Sequence, residues 1–248
     1  MLPEAFLLSV LAGSATGIGG LIVVLMQKVS NRFIAGSMGF ASGVMLLVSF
    51  LNLFLEALDL ISYLNVAIAF SIGSIFMIVV DTVLPHLELG KKEDGVIKAK
   101  MFKSGILILI GITIHNIPEG VIISAGYSRL PELGTLIALA VFFHNIPEGI
   151  ATAVPLMSVG SEKKRVLLAT MISGLAEPFG ALLGSTILLN ASNEVLGFSL
   201  AFAAGVMTYI TADELIPIAH EHGYKHSVSS GILLGMIFMM ILNIILLV

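Results

Sequence analysis

The sequence predicts an all-α polytopic membrane protein, and three observations carry that prediction. The chain of 248 residues is 57% hydrophobic and only 11% charged, and its mean hydropathy is +1.07. A soluble domain of this size needs a charged surface, which this composition cannot provide. The apolar residues are also gathered into eight long runs, each close to the roughly 20 residues that a helix needs to cross a hydrocarbon core. The loops between them are short, so residues 1–248 read as a single transmembrane domain.

The first run, approximately 5–26, has the position of a signal peptide but lacks a positively charged start. The first basic residues, Lys28 and Arg32, follow it. That order describes a retained spanning helix with its N-terminus outside. The remaining spans are expected at about 36–57, 66–85, 104–126, 135–157, 166–188, 196–218 and 228–247. The longest connection is a cytoplasmic loop at 86–103, which holds Lys91, Lys92, Glu93, Asp94, Lys98, Lys100 and Lys103. It reads as a positive-inside anchor and is too short for a His-rich sensing tract. With the N-terminus outside, eleven of the 12 Lys and Arg fall on the inner side and only Arg129 on the outer, as cytoplasmic charge bias requires. An even number of spans then places both termini outside.

Composition also narrows the partners. With no cysteine, disulfides and thiolate ligands are excluded, and a metal site must use nitrogen, oxygen or thioether donors. A net charge of −4 without a basic domain gives no support for a nucleic-acid partner. The lipid bilayer is the expected surrounding, and a homodimer is compatible with the sequence.

The chain repeats itself. Gly39-Phe40-Ala41-Ser42-Gly43-Val44-Met45 in helix 2 resembles Ala201-Phe202-Ala203-Ala204-Gly205-Val206-Met207 in helix 7, at an offset of 162. Ala12-Gly13-Ser14-Ala15 through Gly19 in helix 1 aligns more loosely with Ser173-Gly174-Leu175-Ala176 through Gly180 in helix 6, at an offset of 161. Helices 1–3 would thus relate to helices 6–8, and helix 4 to helix 5. A unit with an odd number of spans re-enters the membrane upside down, which is the pattern of inverted-repeat transporters with a midplane site. The alternative is a coincidence of small-residue packing faces, which recur in membrane helices.

One six-residue word is written twice: His115-Asn116-Ile117-Pro118-Glu119-Gly120 and His144-Asn145-Ile146-Pro147-Glu148-Gly149. Polar groups inside apolar spans are expensive unless paired or metal-bound. Each copy carries a proline, expected to break the helix locally and free backbone carbonyls. Glu119, Glu148 and Glu177 are each 29 residues apart, and the midpoints fall in the turns at 131–134 and 161–165. Each acid is then about 10–11 residues deep, or roughly 16 Å, half of a core roughly 30 Å thick. Three carboxylates at one depth on consecutive antiparallel helices converge.

Within each word His and Glu stand at i and i+4, on one helix face. His115 with Glu119, and His144 with Glu148, can grip one ion. Asn116 and Asn145, turned by about 100°, can face a second, adjacent ion, with a glutamate bridging the two. Glu177-Pro178 repeats the acid-proline pairing in reverse order. Three unpaired central acids would cost roughly 8–10 kcal/mol to insert. Divalent cations offset that cost. Interhelical hydrogen bonding alone would favour Ser, Thr or Asn over repeated acids.

The doubled word, the segment Glu177-Pro178-Phe179-Gly180 and Gly43-Val44-Met45 resemble the Zrt/Irt-like (ZIP) family of divalent metal transporters. They are most similar to its prokaryotic ZupT/GufA-like branch, across all eight helices. The resemblance implies a transporter of the cell membrane rather than an enzyme, with no enzyme cofactor. Its cargo would be Zn²⁺ and also Fe²⁺, Mn²⁺ or Cd²⁺, taken up towards the cytoplasm. It further implies a binuclear centre built by helices 2, 4, 5 and 6. One ion would be held by His115, Glu119, His144 and Glu148, with Met45 nearby, and the other by Asn116, Glu119, Asn145, Glu148 and Glu177. Imidazole in such a set suits Zn²⁺ and Fe²⁺ over Mg²⁺ and Ca²⁺. Met45 is equally well read as a packing residue.

Around this centre, Asp213, Glu214, His220, Glu221, His222 and His226 read either as a metal exit relay or as a solvated helix end. His86 and Glu88, after Asp81 and Pro85, would belong to the same path. Asn52 and Glu56 near the outer end of helix 2 are placed to attract incoming cations. An intramembrane metalloenzyme is the first rival, but no H-E-x-x-H motif is present. A Ca²⁺ or Na⁺ channel or antiporter is the second, and the imidazole and amide groups argue against it. The expected mechanism is alternating access, one helix bundle carrying the site against the other.

Overall fold

The computed structural model of the chain describes residues 2–26, 30–83, 93–129, 131–186, 192–221 and 223–246. Among the described residues there is no strand, and eight helices are long and apolar enough to cross a membrane. They are α1 (Leu2–Leu25), α2 (Asn31–Leu60), α3 (Tyr63–Val83), α4 (Glu93–Arg129), α5 (Pro131–Ser158), α6 (Lys163–Thr186), α7 (Asn193–Glu221) and α8 (Lys225–Leu246). Each expected span lies within one of these helices apart from a few terminal residues. Several begin earlier than hydropathy predicts, because polar residues extend a helix past the apolar boundary. Ser30 caps α2 in this way, its hydroxyl accepting a hydrogen bond from the Phe33 amide.

The largest correction concerns the loop expected at 86–103. From Glu93 onward this segment is helix, continuous with the span that begins near 101. After Gly95 it has no glycine or proline before Gly105 to stop a helix, and its lysines and alanine are good helix formers. Lys103 in this extension pairs with Asp81 at the end of α3, 2.7 Å away. His86, Glu88, Lys91 and Lys92, like Lys28 and His222, lie outside the described residues.

A second correction concerns the prolines. α4 and α5 remain helical through Pro118 and Pro147. A single missing N–H is tolerated when neighbouring helices hold the segment in place. In α6 the interruption does occur, but at Leu175, dividing it into Lys163–Gly174 and Ala176–Thr186. Pro178 has no N–H for the carbonyl of Gly174 and its ring crowds that group, so the turn before it opens. Two further irregularities contain no proline, although Pro217 follows the second by two residues and leaves the Asp213 carbonyl without its N–H. π-helical stretches occupy Val48–Phe54 in α2 and Thr211–Leu215 in α7. The second lies inside the image of the first under the 162-residue offset.

The helices form two groups. α1, α4, α5 and α6 pack on one another, and α2, α3, α7 and α8 form a second set; the sets meet mainly along α2–α5 and α4–α7. The pairings follow the internal similarity: α1 packs along α5 as α6 packs along α4, and α8 along α2 as α3 along α7. Glycines set the closest approaches. A Cβ on Gly19 would collide with the Ile146 carbonyl, and one on Gly180 with the Ile117 carbonyl. Likewise a Cβ on Gly149 would strike the carbonyl of Thr16, and one on Gly120 that of Glu177. Backbones therefore touch where α1 meets α5 and where α4 meets α6, at the level of the doubled word.

Candidate metal centre

The two words and Glu177 meet inside the first helix group. α4 supplies His115, Asn116 and Glu119; α5 supplies His144, Asn145 and Glu148; the second part of α6 supplies Glu177. All seven are buried, the most exposed being His144 at 5%. His Nε2 to carboxylate contacts link α4 to α5. His144 Nε2 lies 2.6 Å from Glu119 Oε1, and His115 Nε2 lies 2.9 Å from the same oxygen and 3.7 Å from Glu148 Oε1. The His115 contact is close but out of line for a hydrogen bond. One ligand atom from each of His115, His144 and Glu148 falls within 4.8 Å of the others, a separation that a single ion could span.

The asparagines are fixed by their nitrogens. Asn145 Nδ2 donates to Glu177 Oε2 at 2.7 Å and to the Ala12 carbonyl at 3.1 Å, tying α5 to both α6 and α1. Asn116 Nδ2 donates to the Ser173 carbonyl at 3.1 Å, next to the interruption in α6. Each amide thus keeps its Oδ1 free. The amide nitrogens are structural ties between helices.

Buried polar atoms are nearly always hydrogen-bonded, so the exceptions are informative. Among the described residues nine buried side-chain nitrogen and oxygen atoms have no hydrogen-bond partner, and eight belong to these residues. They are both ring nitrogens of His115, Oδ1 of Asn116 and Asn145, Oε2 of Glu119, both carboxylate oxygens of Glu148, and Oε1 of Glu177. A cluster of orphaned carboxylate, amide and imidazole atoms has the donor chemistry of a cation site.

A family model described as ZIP Zinc transporter matches residues 86–243. The chain is 39% identical over 254 residues to the zinc transporter ZupT of Chlorobaculum parvum, covering 95% of this chain and 94% of that protein. It is 40% identical to the ZupT of Corynebacterium glutamicum over 255 residues, with 96% and 97% covered. The ZupT of Clostridium perfringens is 34% identical over 265 residues, with 95% and 93% covered. The chain belongs to the ZIP family. With eight apolar spans and bacterial ZupT relatives, it is a multi-pass plasma-membrane protein, and its family is one of transporters, not enzymes.

The other residues singled out in the sequence of this ZIP protein fall in different surroundings. Met45 is fully buried in the main apolar cluster with Val44 and Val48. Asn52 is paired reciprocally with Asn243 of α8, at 3.2 and 3.5 Å, so its amide joins two helices instead of standing ready for incoming cations. Glu56 is exposed. Asp213 accepts a hydrogen bond from the Tyr209 hydroxyl at 3.2 Å, while His220 and His226 are exposed. Sequence reasoning passed over the Ser173 and Ala12 carbonyls, which hold Asn116 and Asn145 from α6 and α1, and Thr16, whose carbonyl lies against Gly149. The 161-residue offset was the available signal, since it aligns Ala12 with Ser173 and Thr16 with Glu177.

Proposed function

We propose that this ZIP protein takes up zinc, and with it iron, manganese and cadmium as divalent ions, towards the cytoplasm through a two-ion midplane centre. The observation that carries the reading is the eight orphaned donor atoms among the buried residues of the two words and Glu177, where His115, His144 and Glu148 offer ligand atoms within 4.8 Å of one another. The zinc transport ascribed to the ZupT relatives supports the choice of first cargo. In this reading His115, Glu119, His144 and Glu148 hold one ion, and Asn116, Glu119, Asn145, Glu148 and Glu177 the other. Glu119 and Glu148 bridge the pair. Met45 is an auxiliary thioether for the first ion; an unchanged zinc KM in Met45→Leu, a volume-conserving change, removes it from the set.

The division of the helices into two groups supports alternating access. The group of α1, α4, α5 and α6 carries the whole ligand set and moves against the group of α2, α3, α7 and α8. The matching helix pairings and the matching π-helical positions support the inverted repeat, with both termini outside and residues 1–248 as one transport domain. An incoming ion exchanges its water for carboxylate, amide and imidazole atoms, eight of which have no protein partner, and takes His144 Nε2 from its bond to Glu119.

Zinc uptake into proteoliposomes tests the proposal. Glu148→Ala is expected to abolish saturable uptake while the purified protein remains monodisperse. Wild-type flux from that variant would sink the site assignment. Competition of Fe²⁺, Mn²⁺ and Cd²⁺ against zinc in the same vesicles tests the breadth of cargo, and a metal that does not compete is struck from it.

A further inference from the structure

The two halves of the centre correspond residue by residue. Asn145 Nδ2 donates to the Ala12 carbonyl and Asn116 Nδ2 to the Ser173 carbonyl, each at 3.1 Å, and the two acceptors are 161 positions apart. A Cβ on Gly13 would meet the Gly174 carbonyl, and one on Gly174 the Gly13 carbonyl. Gly149 abuts the Thr16 carbonyl as Gly120 abuts that of Glu177. The same offset sets Thr16 against Glu177. Where one half carries a carboxylate, the other carries a hydroxyl on a stem two carbons shorter.

That hydroxyl is the ninth orphan. Thr16 is fully buried and its Oγ1 has no partner. Other buried hydroxyls turn back onto the carbonyl four residues earlier, as Ser42 does to Met38, Thr152 to Glu148 and Thr211 to Met207. For Thr16 that carbonyl is Ala12, which already accepts Asn145. Its Cβ lies 3.4 Å from where a Cβ on Gly174 would stand, one residue from the Ser173 carbonyl that anchors Asn116.

We propose that Thr16 is a further polar residue of the metal centre, its hydroxyl holding a water molecule that coordinates the ion on the Asn116 side. This rests on the reading of the centre as a metal site. A buried water needs two to four polar partners, and Thr16 Oγ1, the free Asn116 Oδ1 and the ion supply them. The water does for one half what the Glu177 carboxylate does for the other. It also keeps a fourth negative charge out of a site whose ions must leave again.

The test compares Thr16→Val, which keeps the shape and loses the hydroxyl, with Thr16→Ser, which keeps the hydroxyl and loses the methyl. Zn²⁺ is titrated calorimetrically into the detergent-purified full chain, and zinc uptake is measured in proteoliposomes. Thr16→Val is expected to weaken zinc binding about fivefold, the weight of one hydrogen bond, and to raise the uptake KM without lowering the maximal rate. Thr16→Ser restores the affinity. A packing role gives the reverse order, with Val close to wild type and Ser impaired. That result, or equal affinity in Thr16→Val and wild type, overturns the proposal. Should Thr16→Val fail to accumulate, Thr16→Ala against Thr16→Ser makes the same comparison. Glu119→Gln is run alongside: if it binds zinc as tightly as wild type, the metal centre itself is refuted rather than the role of Thr16 alone.

Discussion

Asn145 does the most with a single side chain. Its amide nitrogen reaches the Ala12 carbonyl on α1 and the Glu177 carboxylate on α6, while its oxygen has no hydrogen-bond partner. Asn116 makes only the bond to Ser173. The two asparagines, identical in motif position, should therefore differ in consequence. Asn145→Ala leaves a buried carboxylate oxygen unpaired, a loss of about 1–3 kcal/mol, and is expected to lower the thermal midpoint of the purified protein more than Asn116→Ala does. Equal midpoints would show that the tie to Glu177 carries no stability. The residue types of the centre and their convergence were legible in the 29-residue spacing of the three acids. Which atom of each amide is tied to a neighbouring helix was not, because that is decided by carbonyls on α1 and α6 distant in sequence.

At the scale of the helix, three prolines in similar local sequences behave in two ways. Pro118 and Pro147 sit in continuous helices, whereas the chain opens at Leu175 ahead of Pro178. A backbone contact lies directly before each of the first two prolines, Gly180 against Ile117 and Gly19 against Ile146. Near the opening in α6, the Ser173 carbonyl accepts Asn116. Pro178→Ala is thus expected to straighten α6 and reduce the maximal rate of zinc uptake severalfold, while Pro118→Ala stays within about twofold of wild type on the tolerance of buried prolines. Comparable losses in both would mean that the interruption has no special part in transport. The eight spans could be read from apolar runs, since lipid demands them. The π-helical stretch at Val48–Phe54 could not, because no proline or glycine marks it, whereas that at Thr211–Leu215 has a signal in Pro217, which has no N–H for the Asp213 carbonyl.

For the whole molecule, the boundary between the two helix groups is the place to interfere with movement. Gly111 of α4 faces Ile210 of α7 across it, and a Cβ on Gly111 would lie 3.7 Å from the Ile210 Cβ. That separation suits a disulfide, and the chain has no cysteine of its own to confuse the result. Gly111→Cys combined with Ile210→Cys should lose zinc uptake on oxidation and regain it on reduction; undiminished flux in the oxidised form would refute relative motion at this boundary. Uptake should also fall as the pH is lowered, because imidazole and carboxylate ligands bind metal only when deprotonated. The expected sign is a rising zinc KM towards acid, read in vesicles without an imposed gradient, and a KM independent of pH would contradict ligation by these groups. The positive inner loops suggested an orientation, but their most basic stretch is partly helix from Glu93. Local composition fixes charge there without fixing shape.

The glycine contacts have a consequence for selectivity. Where α1 meets α5 and α4 meets α6, peptide groups press on peptide groups with no side chain between them. The helices that carry the side chains of the centre are thus spaced by main-chain atoms, which cannot change rotamer. Exchanging one donor for another alters what an ion touches and leaves the gauge of the chamber as it was. Ions would then be sorted by radius as well as by affinity, and a variant with new donors would inherit the old size limit.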